Sequence, residues 1–145
     1  MSLLAALSVS ASGLAAQRTR AELLAENLAN AETTRTPGGG PYRRKDAVFA
    51  AEPVASAFAA AFERELNGTL TGVRVAEIVE DQREPEKRYL PGHPDADAEG
   101  YVAFPRINPA EDMVDLLGAM RSYQANLAAI AAIKDMINRS IELLK

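Results

Sequence analysis

The single histidine of the chain, His93, stands two residues before Asp95, and Asp97 and Glu99 continue the same alternation. Imidazole nitrogens and carboxylate oxygens are the donors that divalent cations take, so metal chemistry is the first to test. The run DADAEG, Asp95 to Gly100, reproduces the first half of a calcium loop. Asp95, Asp97, Glu99 and Gly100 fall at its first, third, fifth and sixth positions. The twelfth position must supply a bidentate carboxylate, and here it is Arg106. Pro94 precedes the run and a strand-like YVAF fills its second half, which also breaks the pattern. The other reading is a structured turn, in which PGHP reverses the chain and the acids stay solvated.

Other catalytic groupings are scarce. A serine triad has to use His93, and most of the serines lie on segments patterned for helix packing. PGGGPYRRK, Pro37 to Lys45, combines glycines with cations, but no strand leads into it and no helix clearly follows, so it is no phosphate loop. Arg35, Tyr42, Arg43, Arg44 and Lys45 nevertheless form a basic, partly aromatic cluster, a candidate contact loop toward another subunit or a solvated face. The absence of cysteine removes disulfides, thiolate chemistry and Cys-based zinc sites. A net charge of −4 argues against nucleic acid as a partner held by bulk charge.

Because the chemistry is thin, the elements that would position it carry more information. The chain has 145 residues, one domain's worth, and its apolar fraction of 48% with only 6% aromatics favours long helices. Met113, Leu116, Met120, Tyr123, Leu127, Ile130, Lys134, Ile137, Ile141 and Leu144 alternate steps of three and four, a heptad seam. Lys134 alone is neither apolar nor aromatic. It either snorkels outward or fixes register against Glu22 or Glu26 if the helices run antiparallel. Asn108 and Pro109 mark the start of this helix, with Glu111 and Asp112 in the first turn. Leu3, Leu7, Ser10, Leu14, Gln17, Ala21, Leu24, Leu28 and Ala31 repeat the spacing at the other end, to about Thr33, where Pro37 and the glycines stop it. No run is long and apolar enough for a membrane span. The first residues lack the basic start of a cleaved leader.

Between the helices the composition changes. GVRVAEIVED, Gly72 to Asp81, alternates like a strand with one slip, and YRRKDAVF and YVAFP are weaker strands. Pro53 to Leu66 reads as a helix. The expected architecture is α+β, with helices at residues 1–34 and 109–145 pairing as a coiled-coil-like hairpin around a β-rich insert at 35–108.

Several long stretches, in order, resemble the flagellar axial proteins, and most narrowly the subunits of the proximal rod. They are SGLAAQRTRAELLAENLANAETTRTPGGGPYRRK, GVRVAEIVED, YLPGHPDADAEGYVAFPRIN and EDMVDLLGAMRSYQANLAAIAAIKDMI. The resemblance implies a structural subunit with no enzymatic activity and no cofactor. It implies export through the flagellar type III apparatus without a cleaved signal peptide. It also implies assembly through the terminal helices, with copies of itself and other rod proteins, into a hollow tube that spans the periplasm and transmits torque. On that reading Leu3, Leu7, Leu14, Leu24, Leu28 and the apolar seam residues from Met113 to Leu144 form the helix-pair and assembly interface, and the acidic loop after His93 is structural. The alternatives are a helical adaptor or chaperone-like binding module, and a metal-dependent enzyme around His93, Asp95 and Asp97.

Overall fold

The computed structural model describes residues 3–53 and 71–143. Helix α1 covers Leu3–Ala29 and helix α2 covers Pro109–Glu142. Strands β1 (Lys45–Pro53) and β2 (Thr71–Glu80) form one antiparallel pair, and β3 (Glu86–Tyr89) and β4 (Tyr101–Phe104) form another. The architecture is α+β. The helix expected at Pro53 to Leu66 falls, after Pro53, outside the described residues; Pro53 itself ends β1.

Helix α2 starts where its caps require. The Asn108 side chain accepts a hydrogen bond from the Ala110 backbone, Pro109 follows, and Glu111 and Asp112 sit against the positive end of the helix dipole. Its length is about 50 Å at 1.5 Å per residue. Helix α1 ends at Ala29, earlier than Thr33, because the chain there bonds to itself. The Asn30 side chain donates to the Glu26 carbonyl, and the Thr33 backbone donates to the Asn30 carbonyl, which closes a turn instead of extending the helix.

The two helices pack on each other and run antiparallel: Arg20 reaches Asp115 at 3.8 Å, while Gly13 lies against Asn126. A Cβ at Gly13 would stand 3.1 Å from the Asn126 amide, so a small residue sets the close approach. The β1–β2 pair covers a second side of α1, and the Val73 backbone donates to Ser12 Oγ. The slip in the β2 alternation is a bulge. Val48 pairs with Glu77 and Phe49 with Val75, so Ala76 is the extra residue. Tyr42 to Arg44, expected to open a strand, precede β1 and are used otherwise.

Candidate assembly surface

The burial of α2 follows a strict rhythm. Asp112, Leu116, Ala119, Tyr123, Asn126, Ile130, Ile133 and Ile137 are buried or half-buried, at steps of four and three. Leu116, Tyr123, Ile130 and Ile137 belong to the seam read from the sequence. At the alternate positions the inward residue lies one place earlier: Asp112, Ala119, Asn126 and Ile133 face in, while Met113, Met120, Leu127 and Lys134 are exposed. Ala119 and Asn126 are smaller or more polar than their neighbours, and they occupy the face that must approach α1 closely. Met113, Met120 and Leu127 remain 49%, 48% and 51% exposed. Leu117, Val114, Met136 and Ile141 are exposed as well, and Leu144 lies outside the described residues. Along α2 the exposed side chains at 113, 117, 120, 124, 127, 131 and 134 repeat steps of four and three, a second stripe beside the first.

That geometry also removes the question posed by Lys134. Its side chain points to water, level with the first turns of α1, since moving up α2 means moving down α1. Glu22 is bound to Arg18 at 2.8 Å and Glu26 to Lys45 at 2.6 Å, so neither waits for it.

Helix α1 presents a different picture. Leu24 is 3% exposed, Leu23 is buried, and Leu7, Leu14 and Leu28 are half-buried; Leu3, the first residue of the helix, is exposed. Asn27 is fully buried. Its amide donates to the Lys45 carbonyl at 2.8 Å and accepts from the Lys45 backbone N–H at 2.9 Å and from the Tyr42 hydroxyl at 3.0 Å. The side chain thus pairs with β1's first residue as a neighbouring strand would, and a buried amide is left satisfied.

The basic cluster is consumed by this joint. Arg43 donates to the Asp81 carbonyl just past the end of β2. Arg44 reaches into α2 and holds Asp112 at 2.9 Å, with Asp46 at 3.3 Å on its other side. Lys45 pairs with Glu26 of α1, and Arg35 lies 3.6 Å from Asp95. The four consecutive residues from Tyr42 to Lys45 therefore tie together α1, α2 and the segment after β2. Asp112 is 2% exposed, and burial pushes its carboxyl above the ordinary carboxylate range while Arg44 pulls the other way. Burial, with the charge of Glu26 close by, raises the Tyr42 phenol to about 12. The roles of Asn27 and Asp112 escaped the sequence reading. The only signal for either was a polar residue recurring within an apolar helix face.

The acidic loop after His93 is held by hydrogen bonds of its own. His93 Nδ1 accepts from the Asp95 backbone, and Asp97 Oδ1 accepts from the backbones of Glu99 and Tyr101, the geometry of an Asx turn. Asp95 accepts from the Thr34 hydroxyl at 2.8 Å and so anchors the loop to the segment after α1. Gly100 must be glycine: its φ is +87°, and a Cβ would fall 2.9 Å from the Tyr89 ring. Among the described residues no group of three acidic or histidine side chains is placed to hold a metal ion, and no helix is long and apolar enough to cross a membrane.

Comparison with known proteins gives a consistent result. Residues 7–35 match the family described as flagella basal body rod protein, and residues 98–143 match the C-terminal family of the flagellar basal body rod FlgEFG proteins. Over nearly their whole length, several curated proteins are similar. The flagellar basal-body rod protein FlgC of Borreliella burgdorferi is 38% identical, across 100% of this chain and 99% of its own. That of Bacillus subtilis is 39% identical across 96% of each. That of Salmonella typhimurium is 38% identical across 99% of this chain and 98% of its own.

Proposed function

Because the chain belongs to the FlgC family of flagellar basal-body rod proteins, we propose that its exposed α2 stripe is the surface through which it enters the rod. The protein is a structural subunit of the basal-body rod and not an enzyme. In the proposal α1 and α2 pair along the four–three rhythm as a coiled-coil-like core, residues 1–34 and 109–145, with residues 35–108 folded back on it. The same helices line a hollow proximal rod that spans the periplasm and carries torque. Its partners are other rod proteins, further copies of itself and, on the way out, the type III export apparatus that passes it without a cleaved signal peptide.

The observation that supports this reading is the row of half-exposed Met113, Leu117, Met120 and Leu127 on one line of a long helix. A soluble monomer seldom leaves such a line bare unless something covers it. The test is complementation. Cells without this chain are expected to lack flagella and swimming. Leu127→Met should restore both, and Leu127→Asp should not, because a charge buried in an interface without a partner costs several kcal/mol, roughly 3–5. Swimming restored by Leu127→Asp would overturn the assignment of the stripe.

A further inference from the structure

Beside the stripe the molecule has a hollow that no other described residue fills. It lies where α1, β1 and α2 meet, with a volume of about 240 Å³. Leu23, Leu24, Ala47 and Phe49 line it with apolar surface, and Arg20, Lys45, Asp46 and Asp115 line it with charge. Lys45 is engaged by Glu26 at 2.6 Å, whereas Arg20 and Asp115 meet only at 3.8 Å and both are close to half exposed. Asp46 is also about half exposed, at 3.3 Å from Arg44. The two carboxylates at the rim thus keep capacity for another cation.

We propose that this hollow receives the Met120 side chain of a second copy of the chain, with Arg121 of that copy set against Asp46 and Asp115. The proposal rests on the reading of the stripe as an assembly surface and names its mate. Four arguments support it. A rod is an open assembly, and open assemblies need heterologous contacts, in which the two joined surfaces differ. The stripe is convex and the hollow concave, and they lie on different faces of one molecule, so joining them propagates from copy to copy. Met120 is an exposed, unbranched side chain able to adapt to an irregular apolar hollow. Arg121 follows it directly and is exposed, the charge that the rim carboxylates call for.

The absence of cysteine makes the test clean. Basal bodies are isolated from cells whose only copy of the chain is the wild type, Met120→Cys, Ala47→Cys or the double variant, and each is oxidised mildly. The expected result is a ladder of cross-linked dimers, trimers and longer species from the double variant, and none from either single variant. Dimers from Met120→Cys alone would mean that stripe meets stripe, and would overturn the proposal. No ladder from the double variant, in basal bodies that contain it, would overturn the second copy as occupant while leaving the rod reading intact. Absence of the wild-type chain from the basal bodies is the separate result that defeats the rod reading itself.

Discussion

Helices α1 and α2 carry the same alternation of three- and four-residue steps, and their surroundings differ. Helix α1 is covered on two sides, by α2 and by the β1–β2 pair, so that Leu23, Leu24 and Asn27 are sealed. Helix α2 meets α1 along one line and shows a second, mostly apolar line to water. Identical spacing therefore serves two ends. In α1 it builds the monomer; in α2 half of it builds the monomer and half is left over. What separates the cases is the size of the side chains. Asn126 lets α2 lie close to α1 at Gly13, and Leu127, which follows it and is too bulky for that approach, is turned outward with Met113 and Met120 on the same line.

A pair of matched substitutions breaks this comparison most sharply. Leu24→Asp places a charge at a position only 3% exposed. The cost of several kcal/mol, roughly 3–5, is of the order of the whole stability of a small domain. The purified variant is expected to show no cooperative thermal unfolding. Leu127→Asp changes a position that is half exposed, and surface changes of that kind shift stability by about 0.5 kcal/mol or less. Its melting curve should overlay the wild type even though the rod does not assemble. Equal loss of stability in the two variants would mean that α2 has no free side.

The joint that fastens both helices to β1 gives the next effect. Arg44→Ala removes the cation beside Asp112 and leaves a buried carboxylate unpaired, at a cost of about 3 kcal/mol. The sign of its pH dependence follows from burial, which already holds the Asp112 carboxyl above its ordinary value. A raised pKa contributes stability that is present below the unfolded value and lost as pH rises through the folded one. Without Arg44 to oppose it, that shift grows. The gap in stability between Arg44→Ala and wild type should therefore narrow on acidification toward pH 4 and widen again toward neutrality. Denaturant melts at a series of pH values check this, and a gap that is flat with pH would show that Asp112 is not the group left unpaired.

Much of this architecture was legible in the sequence. Helix α2 announced itself through Asn108, Pro109, Glu111 and the apolar rhythm, because caps and periodicity are local properties of the chain. The bulge in β2 was visible as a slip in the alternation of Val73, Val75 and Ile78. What could not be read was which of two adjacent lines on α2 faces inward. Met113 and Asp112, or Leu127 and Asn126, differ by one residue, and hydropathy favours the wrong member of each pair. The choice is made by the backbone approach at Gly13 and by Arg44 reaching across to Asp112, both contacts between residues far apart in sequence. The basic cluster was likewise visible as charge, but its partners Glu26, Asp81 and Asp112 come from three separate parts of the chain that only the fold brings together.

The smallest effect sharpens the α1 side of the joint. The Tyr42 hydroxyl donates to Asn27 Oδ1 inside the packed region, and its pKa is raised from 10.0 to about 12. Burial disfavours the phenolate, and the charge of Glu26 adds to the shift. The interaction thus contributes stability in full below pH 10, and the contribution disappears as pH climbs through about 12. An ultraviolet titration of the folded protein is expected to show one late phenolate step, lost in Tyr42→Phe. The variant should cost only about 0.5–1.5 kcal/mol at neutral pH, one hydrogen bond, since Asn27 keeps both bonds to Lys45. A larger cost would mean that Tyr42 orders the turn after α1 and does more than finish it. An unchanged titration would mean that its hydroxyl stands in water, and that the segment from Tyr42 to Lys45 is held to α1 by Asn27 and Lys45 alone.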